Sequence, residues 1–391
     1  MFSIFYVPLS IFYFLLIKES KMVKIISIFG TRPEAIKMAP VVKMLADCQH
    51  IDSKLCVTAQ HREMLDQVLD LFQIEPDYDL DIMKSGQTLS DITCRVVKGI
   101  EQMLSEEKPD MILVHGDTTT TFSASLAAFY SGVAIGHVEA GLRSGNKFSP
   151  YPEEINRSLT GRLADLHFSP TDGNRKNLLK EGIDEKIITI TGNTVIDALL
   201  SVVDDAYEFE QEILNSIGRD KKLVLLTSHR RENLGEPMEN IFRAVRRIAD
   251  GDQSVEVVFP LHLNPRVRDI AIPILGGHDR IHLIEPLDYQ PFANLINRAH
   301  LVLTDSGGIQ EEAPALGKPV LVLRTETERP EAVSAGTVKM AGVEEDAIYK
   351  MAMELLKDQK AYKKMSRAVN PYGDGKASER IIDAILAHFK N

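Results

Sequence analysis

Short apolar runs alternate with longer stretches of mixed character along most of the chain. "MVKIISIF" (22–29), "SKLCVTA" (53–59), "PDMILVHGD" (109–117) and "VAIGHVEAG" (133–141) read as strands, followed by "LHFSPT" and "KIITITG". Their hydrophobicity is continuous, as a parallel strand covered on both faces requires. Between them the pattern predicts helices from Pro33 to about Ala46, from about Glu63, and from about Thr119 to Tyr130. After a polar stretch at 201–220 the rhythm restarts with "KKLVLLTSHR" (221–230), "SVEVVFPLH" (254–262), "RIHLIEP" (280–286), "HLVLTDSGG" (300–308) and "KPVLVLR" (318–324). "SERIIDAILAHF" (378–389) has the spacing of an amphipathic helix. This alternation implies an α/β protein with two similar halves, residues 22–195 and 196–377, and a ligand cleft between them.

Length agrees, since 391 residues exceed one ordinary core. Charge then narrows the ligand. The formal net charge is −11 and there is no Lys/Arg run, which excludes nucleic acid as a partner. An anionic ligand would need a locally positive site. Cys48, Cys56 and Cys94 are odd in number and form no CxxC, so neither a disulfide framework nor a structural zinc site is expected. A reducing cytoplasm is the simpler reading. Residues 1–21 stand apart: 17 apolar and aromatic residues, then Lys18 and Lys21. They lack a signal peptide's leading charge and cleavage site, and they are short for a membrane span. The readings are a true start at Met22 or a membrane anchor; only the second implies membrane contact.

The chemistry gathers after the strands, the edge where open α/β sheets bind ligands. "GTRPEAIK" (30–37) has one glycine and two cations, Arg32 and Lys37. Thr31 and Glu34 fit a capping box and Pro33 a first helical turn, leaving Arg32 to face an anion. Asp117 follows "VHG", Glu139 follows "HV", and Glu153 and Glu154 open a helix in "SPYPEEINR". Any one of these acids alone is more often structural, but several at successive strand ends of one sheet point to a catalytic cluster. "TSHRRENLG" (227–235) brings His229, Arg230 and Arg231 toward the cleft, and "TDSGGIQEE" (304–312) offers Ser306, Gly307 and Gly308 as a backbone anion cradle. Glu311 and Glu312 follow, with Arg329 downstream in "TERPE". There is no G-x-G-x-x-G, Walker A or HExxH motif, so NAD, P-loop and zincin chemistry lose support.

Taken together, "FGTRPEAIKMAP", "TAQHREML", "VHGDTTTT", "GHVEAGLR", "PYPEEINR", "HRRENLGEP", "TDSGGIQEEAP", "GKPVLVLR" and "TERPEAV" resemble the non-hydrolysing UDP-N-acetylglucosamine 2-epimerases, from about Met22 to the C-terminus. The resemblance implies a glycosyltransferase-B-like fold of two Rossmann-like domains, with helix 378–391 crossing back onto the first. It implies a cytoplasmic homodimer that interconverts UDP-N-acetylglucosamine and UDP-N-acetylmannosamine without cofactor or metal, through a 2-acetamidoglucal, for cell-surface polysaccharide synthesis. It carries Arg32, Lys37, His229, Leu287, Phe292, Ser306, Gly307, Gly308, Glu312 and Arg329 over as substrate-binding residues. Asp117, Glu139 and Glu153, with His229, become the catalytic set. Gln60, His61 and Gln87 match an allosteric substrate site of some members, but Gly86 and Glu63 depart from that pattern. A UDP-sugar glycosyltransferase and a hydrolysing 2-epimerase are the alternatives on the same fold.

Overall fold

The computed structural model describes residues 22–59, 62–84 and 86–390. Gln60, His61 and the apolar segment 1–21 lie outside them.

The first sheet contains β1 (Val23–Phe29), β2 (Ile51–Val57), β3 (Tyr78–Asp79), β4 (Met111–His115), β5 (Ala134–Val138), β6 (Leu166–Ser169) and β7 (Ile188–Ile190). Their spatial order is 3-2-1-4-5-6-7, and every pairing is parallel. The second contains β8 (Lys222–Thr227), β9 (Val255–Pro260), β10 (Ile281–Ile284), β11 (Leu301–Thr304), β12 (Val320–Val322) and β13 (Val338–Met340), in the order 10-9-8-11-12-13, again all parallel. Both are doubly wound Rossmann-like sheets, so the fold is a two-domain α/β architecture of the glycosyltransferase-B-like kind. β4 is buried along its whole length, which is why its residues are all apolar but the last.

The winding reverses direction between β1 and β4, and again between β8 and β11. Loops leaving adjacent strands at such a point part to opposite faces and open a crevice. The four loops concerned contain residues 30–31, 116–118, 228–230 and 305–308. These hold most of the sequence's candidate chemistry.

Several helices were not read from the sequence, the longest of them Leu89–Glu107. It covers the first sheet with Ile92, Val96, Ile100, Met103 and Leu104, a helical spacing, behind a Thr88–Asp91 capping box. The last helix, Ala377–Lys390, returns to the first domain. Its Ile381, Ile382 and Ile385 join the core that contains Phe29, Met38 and Leu45. Asp197 accepts the backbone N–H of Ala377 (3.1 Å) and Ser378 (2.8 Å), satisfying two donors of the helix start. Among the described residues no helix is long and apolar enough to cross a membrane.

Ile381 is fully buried. Ile381→Ala is expected to cost about 2–5 kcal/mol, read as a lower urea midpoint for the transition that reports on the first domain.

Candidate active site

The opening loop is organised by a buried carboxylate. Glu34 Oε2 accepts the N–H of Gly30 (3.1 Å) and Thr31 (2.9 Å) and the Thr31 hydroxyl (2.8 Å). Its Oε1 accepts the hydroxyls of Thr118 (2.7 Å) from the β4 loop and Thr121 (3.0 Å) from the first turn of the helix that follows. Glu34 therefore staples the two loops of the first switch point and is fully occupied in doing so. The single glycine has a steric cause: a Cβ on Gly30 would lie 2.0 Å from Thr58 Oγ1. Arg32 is half-buried and is not among the residues lining the cleft, whereas Thr31, Pro33, Glu34 and Lys37 are.

Lys37 turns toward an acid. Its Nζ donates to both oxygens of Glu139, at 2.8 and 2.7 Å. His115 Nε2 lies 2.8 Å from Glu139 Oε2. Burial alone would raise the pKa of Glu139, but Lys37 and His115 outweigh it and hold the carboxylate well below the usual range. Glu139 also has a positive φ of 62°, rare for a residue with a side chain. Such strain persists where the surroundings impose it, and it recurs at functional sites.

Asp117 shifts the other way. Burial raises its pKa, with Glu139 adding to the effect and Arg157 opposing it from 2.9 Å. Behind it, His137 Nε2 donates to the Gly116 carbonyl at 2.7 Å, and burial pushes that imidazole down to about 3, so it is neutral. The two acids at 153–154 diverge. Glu154 accepts the N–H of Ser144 (3.0 Å) and Gly145 (3.0 Å) and shapes that loop. Glu153 lines the cleft with a buried Oε2 that has no hydrogen-bond partner.

The second domain repeats the staple. Asp305 is fully buried and accepts the N–H of His229 (2.9 Å) and Arg230 (2.9 Å), the Ser228 hydroxyl (3.1 Å) and the Asn233 amide (3.1 Å). The His229 ring stacks on His262 with centroids 5.3 Å apart, and burial lowers its pKa. It does not line the main cavity. A Cβ on Gly307 would lie 3.8 Å from Arg230 Nη2 and 3.9 Å from Arg329 Nη2, so two guanidinium groups converge on that loop. Ser306 is half-buried and Gly308 exposed. Leu287 and Phe292 pack against the core that includes Ile309 and Ala313. Glu312 is buried, which together with neighbouring Glu311 pushes it up to about 7. Arg329 donates to Glu311, whose other oxygen accepts the Asn193 amide at 2.9 Å.

A cavity of about 1270 Å³ joins the halves. Lys37, His115, Asp117, Glu139, Glu153 and Arg157 line it from the first domain, and Arg230, Arg324 and Arg329 from the second. Glu232, Glu326 and Glu328 also line it from the second domain, so both signs of charge occur on both sides of the cleft. The sequence reading missed His115, Arg157, Asn193 and Arg324. His115 directly precedes Gly116 at a strand end and was detectable; Arg157 lies one helical turn beyond Glu153 and Glu154. Asn193 had no signal beyond that of a helix cap. Gln87, away from this cavity, has its amide oxygen held by Arg95 Nη1 and the Lys84 N–H, both at 3.2 Å. Among the described residues no His, Cys, Asp and Glu cluster could hold a metal ion.

A family model described as UDP-N-acetylglucosamine 2-epimerase matches residues 43–386. The Bacillus subtilis (strain 168) UDP-N-acetylglucosamine 2-epimerase is 58% identical over 369 residues, covering 94% of this chain and 96% of its own. The Escherichia coli (strain K12) protein of the same name is 56% identical over 368 residues, covering 93% and 98%. Among solved structures, the Neisseria meningitidis UDP-GlcNAc 2-epimerase bound to UDP-GlcNAc superposes with a TM-score of 0.82 at 49% identity, covering 93% of this chain and 100% of that one.

Removing the cation from Glu139 tests the electrostatics. Lys37→Met is expected to destabilise the fold by about 3–5 kcal/mol at neutral pH, because a largely buried carboxylate loses its main partner. The depressed pKa means that the wild-type pair contributes fully above the ordinary carboxylate range and is lost as pH falls below it. In Lys37→Met burial raises the Glu139 pKa instead. The difference in thermal midpoint between the two proteins should therefore shrink as pH is lowered toward about 4.

Proposed function

The chain belongs to the UDP-N-acetylglucosamine 2-epimerase family, and we propose that it interconverts UDP-N-acetylglucosamine and UDP-N-acetylmannosamine by eliminating UDP and adding it back. The observation that carries this reading is the pairing of Glu139, held ionised by Lys37 and His115, with Asp117, whose pKa moves upward in the same cleft. Two acids pushed apart in this way are suited to opposite halves of a proton transfer.

The hydrogen on C2 of the sugar is not adjacent to a carbonyl, so direct removal is slow. Breaking the C1–O bond first develops positive character at C1, which acidifies C2–H and which a fixed carboxylate stabilises. Ionised Glu139 supplies that charge. The C1–O electron pair leaves with UDP, and a carboxylate takes the C2 proton, giving a 2-acetamidoglucal. A proton then returns to C2 from the opposite face, and the UDP oxygen re-forms the bond to C1. Asp117 and Glu153 are the proton carriers in this scheme; Glu153 has a buried carboxylate oxygen still without a partner. UDP has to remain bound between the steps. Arg230 and Arg329, converging beside Gly307, suit a diphosphate, and Arg230 Nε and Arg324 Nη1 are buried without acceptors. Ser306, Gly308, Leu287, Phe292 and Glu312 do not line the cavity; in this reading Ser306 and Gly308 still serve the diphosphate, and Leu287, Phe292 and Glu312 the uracil and ribose. Arg32 and His229 do not line the cavity, and their part in binding the diphosphate rests on the family resemblance alone. The remaining parts of the reading are a non-hydrolysing, cofactor-free homodimer in the cytoplasm, supplying cell-surface polysaccharide synthesis.

Proton NMR of the protein with UDP-N-acetylglucosamine tests the reading. Nucleotide-linked N-acetylmannosamine should appear and reach a constant ratio, whereas UDP accumulating to completion would favour the hydrolysing alternative. Asp117→Asn and Glu139→Gln are each expected to lower kcat by about 10²–10⁴-fold with UDP affinity changed less than about threefold. Arg230→Ala is expected to do the reverse, weakening UDP binding by about 1.5–3 kcal/mol in calorimetry.

A further inference from the structure

Two carboxylates from different domains meet at one amide. Asn193 follows β7 and caps the helix Thr194–Val202, its Oδ1 accepting the Val195 N–H at 3.1 Å. That bond fixes which way the amide points. Its Nδ2 therefore faces the acids, donating to Glu311 Oε2 at 2.9 Å and lying 3.5 Å from Glu139 Oε1. The backbone is fixed as well, since the Asn193 N–H donates to the Tyr372 carbonyl at 2.7 Å on the segment returning from the second domain. Asn193 is almost fully buried.

The other groups facing Glu139 each have a charge or can acquire one. Lys37 comes from the helix Arg32–Asp47, His115 and Asp117 from the end of β4, and Glu311 and Arg329 from the second domain. Glu139 and Glu311 would repel each other if they met directly. A neutral group with two N–H donors, offering one to each, bridges the two carboxylates without adding charge between them. An aspartate in its place would have the same shape and cap the helix as well, yet it would add a third negative charge.

Resting on the assignment of Glu139 to the chemistry, we propose that Asn193 is a positioning residue that fixes the Glu139 carboxylate against the nucleotide-side Glu311–Arg329 pair. The cap is incidental to that role. Ordering of Arg329 by a diphosphate is then felt at Glu139 through one amide, which links nucleotide occupancy to the geometry of the reacting acid.

The test compares Asn193→Asp, Asn193→Ser and Glu139→Gln in the full-length protein, with thermal midpoints to confirm folding. Asn193→Asp is expected to lower kcat about 10–100-fold near neutral pH, the scale of a small misplacement, with KM changed less than about threefold. Its activity relative to wild type should rise as pH falls, because the introduced carboxyl group regains a donor once it is protonated. Asn193→Ser still caps the helix but is too short to reach both acids, and should show a similar loss that does not recover in acid. If Asn193→Asp and Asn193→Ser match wild type while Glu139→Gln is inactive, Asn193 is only a cap and the inference is overturned. If Glu139→Gln itself keeps wild-type kcat, the assignment of Glu139 fails, and the inference with it.

Discussion

An ionised carboxylate withdrawn from water must be given cations or donors, and the arrangement of this molecule follows from how Glu139 obtains them. Lys37 reaches it from the first helix, and His115 from the end of β4, at 2.7 and 2.8 Å. Both must arrive at one group, so the loops after β1, β4 and β5 have little freedom. The positive φ at Glu139 fits this reading: the backbone is held in an unfavourable region so that the side chain meets its partners. Glu34 then holds the β1 and β4 loops together from behind, using both oxygens on backbone and hydroxyl donors.

The same device appears in the second domain, where buried Asp305 gathers the loops after β8 and β11. Each doubly wound sheet thus has one acid locking its switch point, and neither acid points a free oxygen into the cleft. The difference lies in what the locked loops present. The first domain brings Asp117, Glu139 and Glu153 to the cleft beside Lys37 and Arg157, and the second brings Arg230, Arg324 and Arg329 beside Glu232, Glu326 and Glu328. In the proposed reaction an anionic leaving group departs and returns, which gives the first-domain acids and the second-domain arginines separate tasks. One side must stabilise developing positive charge and move protons, and the other must retain the departed diphosphate.

The fold was legible because parallel strands buried on both faces leave long apolar runs, and because each strand is followed by a helix. The Thr31–Glu34 pattern gave the opening loop, since a capping box is a local arrangement with a fixed spacing. The helix Leu89–Glu107 was overlooked although its apolar spacing is regular, because it bears none of the strand-end motifs that mark its neighbours. Lys37 shows the limit of local reading. Its place on the helix was clear, but its ion pair spans 102 residues, and nothing nearby distinguishes a lysine for Glu139 from one for phosphate. His229 lies at the expected strand end, yet its ring stacks on His262 and leaves the cavity lining to Arg230. Asn193 was not singled out, because the acids it joins come from two domains and nothing local marks it.

The central claim is that the cleft breaks and remakes the C2–H bond while UDP stays bound. It is tested most directly by incubating the protein with UDP-N-acetylglucosamine in deuterated water and measuring deuterium at C2 of the recovered nucleotide sugars by mass spectrometry and NMR. The account predicts that wild type incorporates one deuterium at C2, without any sugar acceptor, and that Glu139→Gln incorporates it far more slowly. Conversion without deuterium at C2, or recovery of unlabelled substrate from active protein, would contradict it.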